Sequence, residues 1–239
     1  MKNRLLCFLL VFTLASQQYI NAQTAEAVIG WSTWANWSNS NADQGLTANL
    51  SQPLITTGGT DAVVFSDAGD AYGQRAFTTG WSGGANTKAW QFQMSSIKYR
   101  TLKFSCKMMG TNNFANFLGP RDFKLQYSLN GSAWVDVSGG TLTAGNGNSN
   151  FNSLTNVSLP AACENLSVLY IRMVMTSNTS VTGAAVTGGQ SHIDDLNITG
   201  ISDPEAPTDI ILSNNSFFST DRWYSEQWYY RGRFVFCGL

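Results

Sequence analysis

The stretch from Asp122 to Val137 constrains this chain more than any other. Asp122 to Leu129 alternates, with Phe123, Leu125, Tyr127 and Leu129 sharing one face. Asn130-Gly131 then offers the positive backbone torsions of a tight turn, and Ala133 to Val137 returns as the second strand. Trp134 sits just past that turn, an aromatic placed to cover the sheet. An isolated hairpin is at best marginal in water, so further strands must pair and pack with this one. The chain supplies them. Lys88 to Met94 puts Trp90, Phe92 and Met94 on one face and Ala89, Gln91 and Gln93 on the other. Thr101 to Met109 aligns Leu102, Phe104, Cys106 and Met108. Ala62 to Ser66 is a short apolar run ending in a turn at Asp67-Ala68-Gly69-Asp70. Leu169 to Met175 is the most hydrophobic run after the first 22 residues and reads as a central strand. Val157 to Leu159 runs into a corner at Pro160, and Ile193 to Ile198 closes the series. Gly139 to Asn152 reads as a Gly/Asn/Ser/Thr loop. No stretch keeps a helical period over roughly 11–18 residues. The expected class is all-β, a jelly-roll-like β-sandwich.

Composition narrows the partners. Of 239 residues only 12% are charged, about half the usual share, and the net charge is -1. Neutralising phosphates takes clustered Lys and Arg, so nucleic acid is not an expected partner. With 43% hydrophobic residues the chain is not expected to be disordered. Residues 1–22 read as a secretory signal peptide, with Lys2 and Arg4 before an apolar run from Leu5 to Leu14 and a small residue at Ala22. That run is too short for a membrane span, and no later segment is long enough, so the mature chain is expected to be secreted or held at the cell surface. In an oxidising compartment Cys106 and Cys163 become a candidate disulfide, the alternative being two buried thiols. A bridge closing so long a loop is worth about 4 kcal/mol in chain-entropy terms.

The pieces TLKFSCKMMGT, GPRDFKLQYSLNGSAWVDV, LPAACENLSVLYIRMVMTSNTSV and SHIDDLNITG, between Lys98 and Gly200, together resemble a jelly-roll-like sandwich module found near the N-terminus of large secreted bacterial surface proteins. The resemblance implies a folded, non-catalytic module spanning 27–200. Residues 201–207, with Pro204 and Pro207, read as a linker. PTDIILSNNSF then resembles the first strand of a cadherin-like repeat, a family of calcium-binding adhesion domains, so 208–239 reads as a fragment of such a repeat. Its continuation departs from that pattern. Residues 217–239 carry nine aromatics in 23 positions and no acidic residue where the family places its calcium-ligating Glu. The segment is expected to be an aberrant tail, truncated or out of register.

Calcium remains the expected ion, through the sandwich itself. Asp194-Asp195 lies on the last strand, where neighbours point to opposite faces. An inward carboxylate needs a partner or a cation, and calcium takes oxygen ligands. Asp194 and Asp195, with Asp61 and Asp67 from the early strands, are the candidate ligands; the plainer reading pairs an Asp with Arg172 or caps a turn. Trp31, Trp34 and Trp37 recur at intervals of three in a Ser/Asn-rich segment, and Trp81 and Trp134 stand alone. Flat aromatic faces stack on sugar rings while amides fix hydroxyls, so Trp31, Trp34, Trp81 and Trp134 are the candidate ligand-binding residues, core packing being the alternative. No catalytic set emerges. His192 is the sole histidine, and Ser191, His192 and Asp194 are strand neighbours rather than a spatial triad. The sequence thus points to a non-catalytic adhesion or ligand-binding module that meets a cell-surface protein or glycan. The alternative is a carbohydrate-binding accessory domain of an extracellular nuclease or glycan hydrolase.

Overall fold

The computed structural model describes residues 23–31, 40–67, 74–112, 116–147 and 150–203, with the side chains of Ser66, Asp67 and Gln74 excepted. The signal-peptide, Trp34, Trp37 and cadherin-like readings fall outside those residues. What is described is an all-β sandwich of two sheets, with one short 3₁₀ turn at Ala161–Cys163.

The larger sheet is built on two long strands, β7 (Tyr99–Gly110) and β13 (Ser191–Ser202), paired antiparallel. β1 (Glu26–Trp31) flanks β13 and is itself bordered by β2 (Gln44–Gly45). β4 (Val64–Asp67) and β5 (Gln74–Thr78) form a ribbon against the start of β13. β10 (Gly145–Asn146) and β11 (Asn152–Ser158) border β7. The second sheet has five strands in the order β3 (Ile55–Thr57), β6 (Ala89–Met94), β12 (Leu169–Met175), β8 (Asp122–Ser128) and β9 (Val135–Thr143). β12 is central, in keeping with its largely apolar sequence, broken only at Arg172. β3 and β9 are its edges.

Strand periodicity builds the core between the sheets. Trp90, Phe92 and Met94 of β6, Phe123 and Leu125 of β8, and Leu169, Ile171, Met173 and Met175 of β12 are all buried. They join Leu102, Phe104, Cys106 and Met108 of β7 and Ile193, Leu196 and Ile198 of β13 in one apolar cluster. Each such side chain contributes about 1.5–3 kcal/mol on burial. Two contacts tie the sheets: Trp31 meets Phe92 edge-on at 5.0 Å, and Trp90 Nε1 donates to Ser191 Oγ at 3.0 Å.

The structure departs from the sequence reading in three places. Asn130-Gly131 is not a two-residue turn, since residues 129–134 connect β8 to β9. Gly131 has φ +74, but Asn130 stays out of the positive-φ region that a type I′ turn demands of both central residues. Asn130 instead closes the loop with its side chain, its Oδ1 accepting from the Ser132 and Ala133 amides at 3.0 and 2.8 Å. Gly139 and Gly140 do not open a loop either. They lie inside β9, in a bulge opposite Leu125 where a Cβ on Gly140 would come within 2.7 Å of the Leu125 Cβ.

The third departure is the disulfide. Cys106 and Cys163 are separate free thiols, both buried. The Leu159 amide donates to Leu102 O and the Asn165 amide to Tyr99 O, which sets the Cys163 turn beside the start of β7. Cys106 lies at least four residues further along that strand, about 13 Å at the usual rise. A disulfide tolerates at most about 7 Å between Cα atoms.

Candidate functional site

The outward side of the five-stranded sheet carries a row of polar and aromatic side chains on regular structure. Alternation that buries Trp90 and Phe92 turns Gln91 and Gln93 outward, and on β12 it turns Tyr170 and Arg172 outward. Register then aligns them. Ile55, Gln91, Arg172, Gln126 and Asp136 are paired neighbour to neighbour across all five strands. The row spans four strand spacings, about 19 Å. Beside it runs a second, shorter row of Gln93, Tyr170 and Ser128.

Hydrogen bonds fix three of the five residues of the long row. Arg172 Nε donates to Gln126 Oε1 at 2.8 Å, and Gln126 Nε2 donates to Asp136 Oδ1 at 2.5 Å. Lys124 Nζ donates to Asp136 Oδ2 at 3.0 Å. The bonds from Gln126 and Lys124 hold the Asp136 carboxyl below its ordinary range. Arg172 shows the opposite balance: burial lowers its guanidinium, partly countered by the charge of Asp136. The 129–134 loop folds onto this face. Trp134 lies under Arg172, whose Cζ is 4.0 Å from the indole centroid. Gly131 packs on Tyr170, where a Cβ would be only 3.3 Å from the ring. The result is a prearranged polar strip edged by two aromatics.

Of the tryptophans proposed for ligand binding, Trp34 lies outside the described residues, and among the other three Trp134 is placed there. Trp31 and Trp81 are fully buried core residues. Their indole N–H groups bond to Ser40 O at 2.8 Å and Thr78 O at 2.9 Å, and Trp81 packs on Trp90 and Phe123. Arg172, read from sequence as a partner for Asp194 or Asp195, belongs to the other sheet. Gln91, Gln93, Gln126, Asp136 and Tyr170 were not among the candidate residues. The outward positions of their strands could have marked them.

The described carboxylates among the four candidate calcium ligands each have their own partner. Asp194 is buried on the outer side of the larger sheet, and its Oδ1 accepts the Asp195 amide at 2.7 Å. Asp195, with φ +43 in a bulge of β13, pairs with Lys107. Asp61 lies beside Thr79, which donates to its Oδ2 at 2.5 Å. Asp67 is in β4, but its side chain is outside the described residues. Among the described residues no three His, Cys, Asp or Glu side chains form a metal-holding group.

Ser191 and His192 are likewise held apart by strand alternation. Ser191 bonds inward to Trp90, whereas His192 faces outward, stacked on Phe77 at 5.1 Å. Its Nδ1 accepts from Arg75 Nε at 2.9 Å. A nucleophile–base pair needs those two side chains to meet, and they do not. Among the described residues no helix is long and apolar enough to cross a membrane.

No family model and no curated protein matches the chain. Solved structures do. The tandem of family 22 carbohydrate-binding modules from Paenibacillus barcinonensis Xyn10C is 18% identical, with a TM-score of 0.45 over 79% of this chain and 50% of that one. The chain therefore spans about half the length of that tandem. The C-terminal family 22 module of Clostridium thermocellum Xyn10B is 13% identical, with a TM-score of 0.40 over 74% of this chain and 94% of that one. The K2 cleaved adhesin domain of Lys-gingipain is 12% identical, with a TM-score of 0.38 over 75% and 97%. At these identities and scores the likeness assigns the chain neither a family nor a ligand.

Proposed function

We propose that this chain is a non-catalytic, exported module that binds a glycan along the outward face of its five-stranded sheet. The observation that carries the reading is the row Gln91, Arg172, Gln126 and Asp136, flanked by Tyr170 and Trp134. Sugars offer two kinds of surface, a ring of hydroxyls that donate and accept, and C–H faces that lie on aromatics. The row answers the first with the Gln91 amide, the Arg172 guanidinium and the Asp136 carboxylate, braced by the buried Gln126, and the aromatics answer the second. Among the described residues, no hydrogen bond within the chain engages the Gln91 and Gln93 amides, which leaves both their donors and acceptors for a ligand. Arg172 covers one face of Trp134 and Gly131 packs on the Tyr170 ring, so the parts of the two rings that they leave open provide the stacking surface. This favours a carbohydrate-binding accessory role over a calcium-bridged adhesion repeat.

The test is affinity electrophoresis of the exported chain through gels containing mixed-linkage β-glucan, arabinoxylan or galactomannan. Wild-type protein should be retarded by at least one polysaccharide, and Tyr170→Ala and Gln91→Ala should abolish most of that retardation while the melting midpoint holds. Free migration of the wild type in all three gels would sink the proposal, as would retardation indifferent to both substitutions.

A further inference from the structure

The long row ends at Ile55 on the edge strand β3, and Ile55 also forms one wall of a cavity of about 380 Å³. That volume lies within the roughly 300–1,000 Å³ of small-molecule sites. Leu54, Ile55 and Phe65 give it an apolar wall, and Thr56, Thr60 and Asp61 give it polar groups. This mixture, apolar surface with a few placed acceptors and donors, is the one that orients a polar ring without trapping it in water.

The polar side is built rather than incidental. The Asp61 amide donates to Thr79 O at 3.2 Å, and Thr78 Oγ1 donates to Asp61 O at 2.9 Å, so the backbone there is pinned to the end of β5. Thr79 Oγ1 holds Asp61 Oδ2, while Oδ1 has no hydrogen bond among the described residues. Thr60 Oγ1 donates to Thr56 Oγ1 at 2.5 Å, which orients both hydroxyls. Ile55 is 42% exposed, ends the row and lines the cavity, so it is where the two meet.

We infer that this cavity is a second subsite, continuous with the sheet face across Ile55, which takes the end or a side branch of the glycan. The inference rests on the glycan reading of that face. A linear chain lying along the row meets the sheet edge at β3, where this open cavity offers a concave surface for one residue. The Asp61 carboxylate accepts from its hydroxyls, and Phe65 with Leu54 covers an apolar ring face. The expected guest is a neutral sugar residue rich in free hydroxyls, since a carboxylate-bearing one would face Asp61 with like charge.

The two readings separate in one set of gels. Asp61→Asn and Phe65→Ala are run through the same three polysaccharides as wild type, with Tyr170→Ala beside them and melting midpoints recorded for all. The expected result is at least a tenfold weaker dissociation constant for Asp61→Asn in the polysaccharide that retards the wild type. Asp61→Asn keeps the size and the Thr79 contact, so it carries the test even where Phe65→Ala loses stability. Unchanged binding by Asp61→Asn, with Tyr170→Ala defective, overturns the subsite and leaves the face standing. No retardation of wild type overturns both. Loss in Asp61→Asn without loss in Tyr170→Ala removes the face, and with it the continuous site.

Discussion

The guanidinium of Arg172 lies over the ring of Trp134, its Cζ 4.0 Å from the centroid, while its Nε donates to Gln126. A residue of the central strand and a residue of a surface loop are thereby locked together. The loop that carries Trp134 is fixed to the sheet face before any ligand arrives, which lowers the ordering cost of binding.

That lock is measurable. In a double-mutant cycle with Arg172→Met and Trp134→Leu, urea unfolding should show a coupling of about 0.5–1 kcal/mol, the range for a cation–π pair near the surface. Additive single effects would mean that the stacking contributes nothing to stability.

Trp31 should behave as core. It is fully buried, meets Phe92 at 5.0 Å and donates to Ser40 O. Trp31→Ala is expected to cost about 3–5 kcal/mol in urea unfolding. Retention of full stability with loss of polysaccharide binding would return Trp31 to the ligand-stacking role read from the sequence.

How far the sequence reveals this molecule depends on which residues are asked. The apolar run at Leu169–Met175 marked the central strand. Alternation found the core faces of β6 and β7 and, at Phe123 and Leu125, of β8, because a period of two is fixed by the pleat itself. Leu129, however, lies past β8 and is exposed. The same pattern set Gln91 and Gln93 outward. Alternation within one strand carries no register between strands, so it could not align Gln91 with Arg172, Gln126 and Asp136. Nor could it show that Trp31 and Trp81 point inward while Trp134 does not, since an aromatic serves a core and a platform equally well. Gly139-Gly140 misled for a related reason: glycine pairs signal a turn unless a facing residue, here Leu125, makes them a bulge.

Asp122 should link stability to pH. Burial raises its carboxyl, but hydrogen bonds from Arg121 and Ser177, together with the Arg121 charge, outweigh that and hold it below its ordinary range. A depressed folded value contributes stability above the unfolded pKa of about 3.9, and that contribution is lost as pH falls through the folded value. The urea midpoint of wild type should therefore drop more steeply below about pH 4 than that of Asp122→Asn. Parallel curves for the two proteins would show that Asp122 does not contribute.

The cysteines offer the sharpest check on the fold. Burial pushes both the Cys106 and the Cys163 thiols up to about 12, so neither carries appreciable thiolate near neutrality. Both are enclosed in the core cluster, out of reach of a reagent in water. In a chain with Cys7 and Cys237 replaced by Ser, Ellman's reagent at pH 8 should find almost no reactive thiol while the protein is folded. Both thiols should then titrate in denaturant, at a rate limited by unfolding. A disulfide would give none in denaturant without reductant, and fast reaction in the folded state would place at least one of the two outside the core.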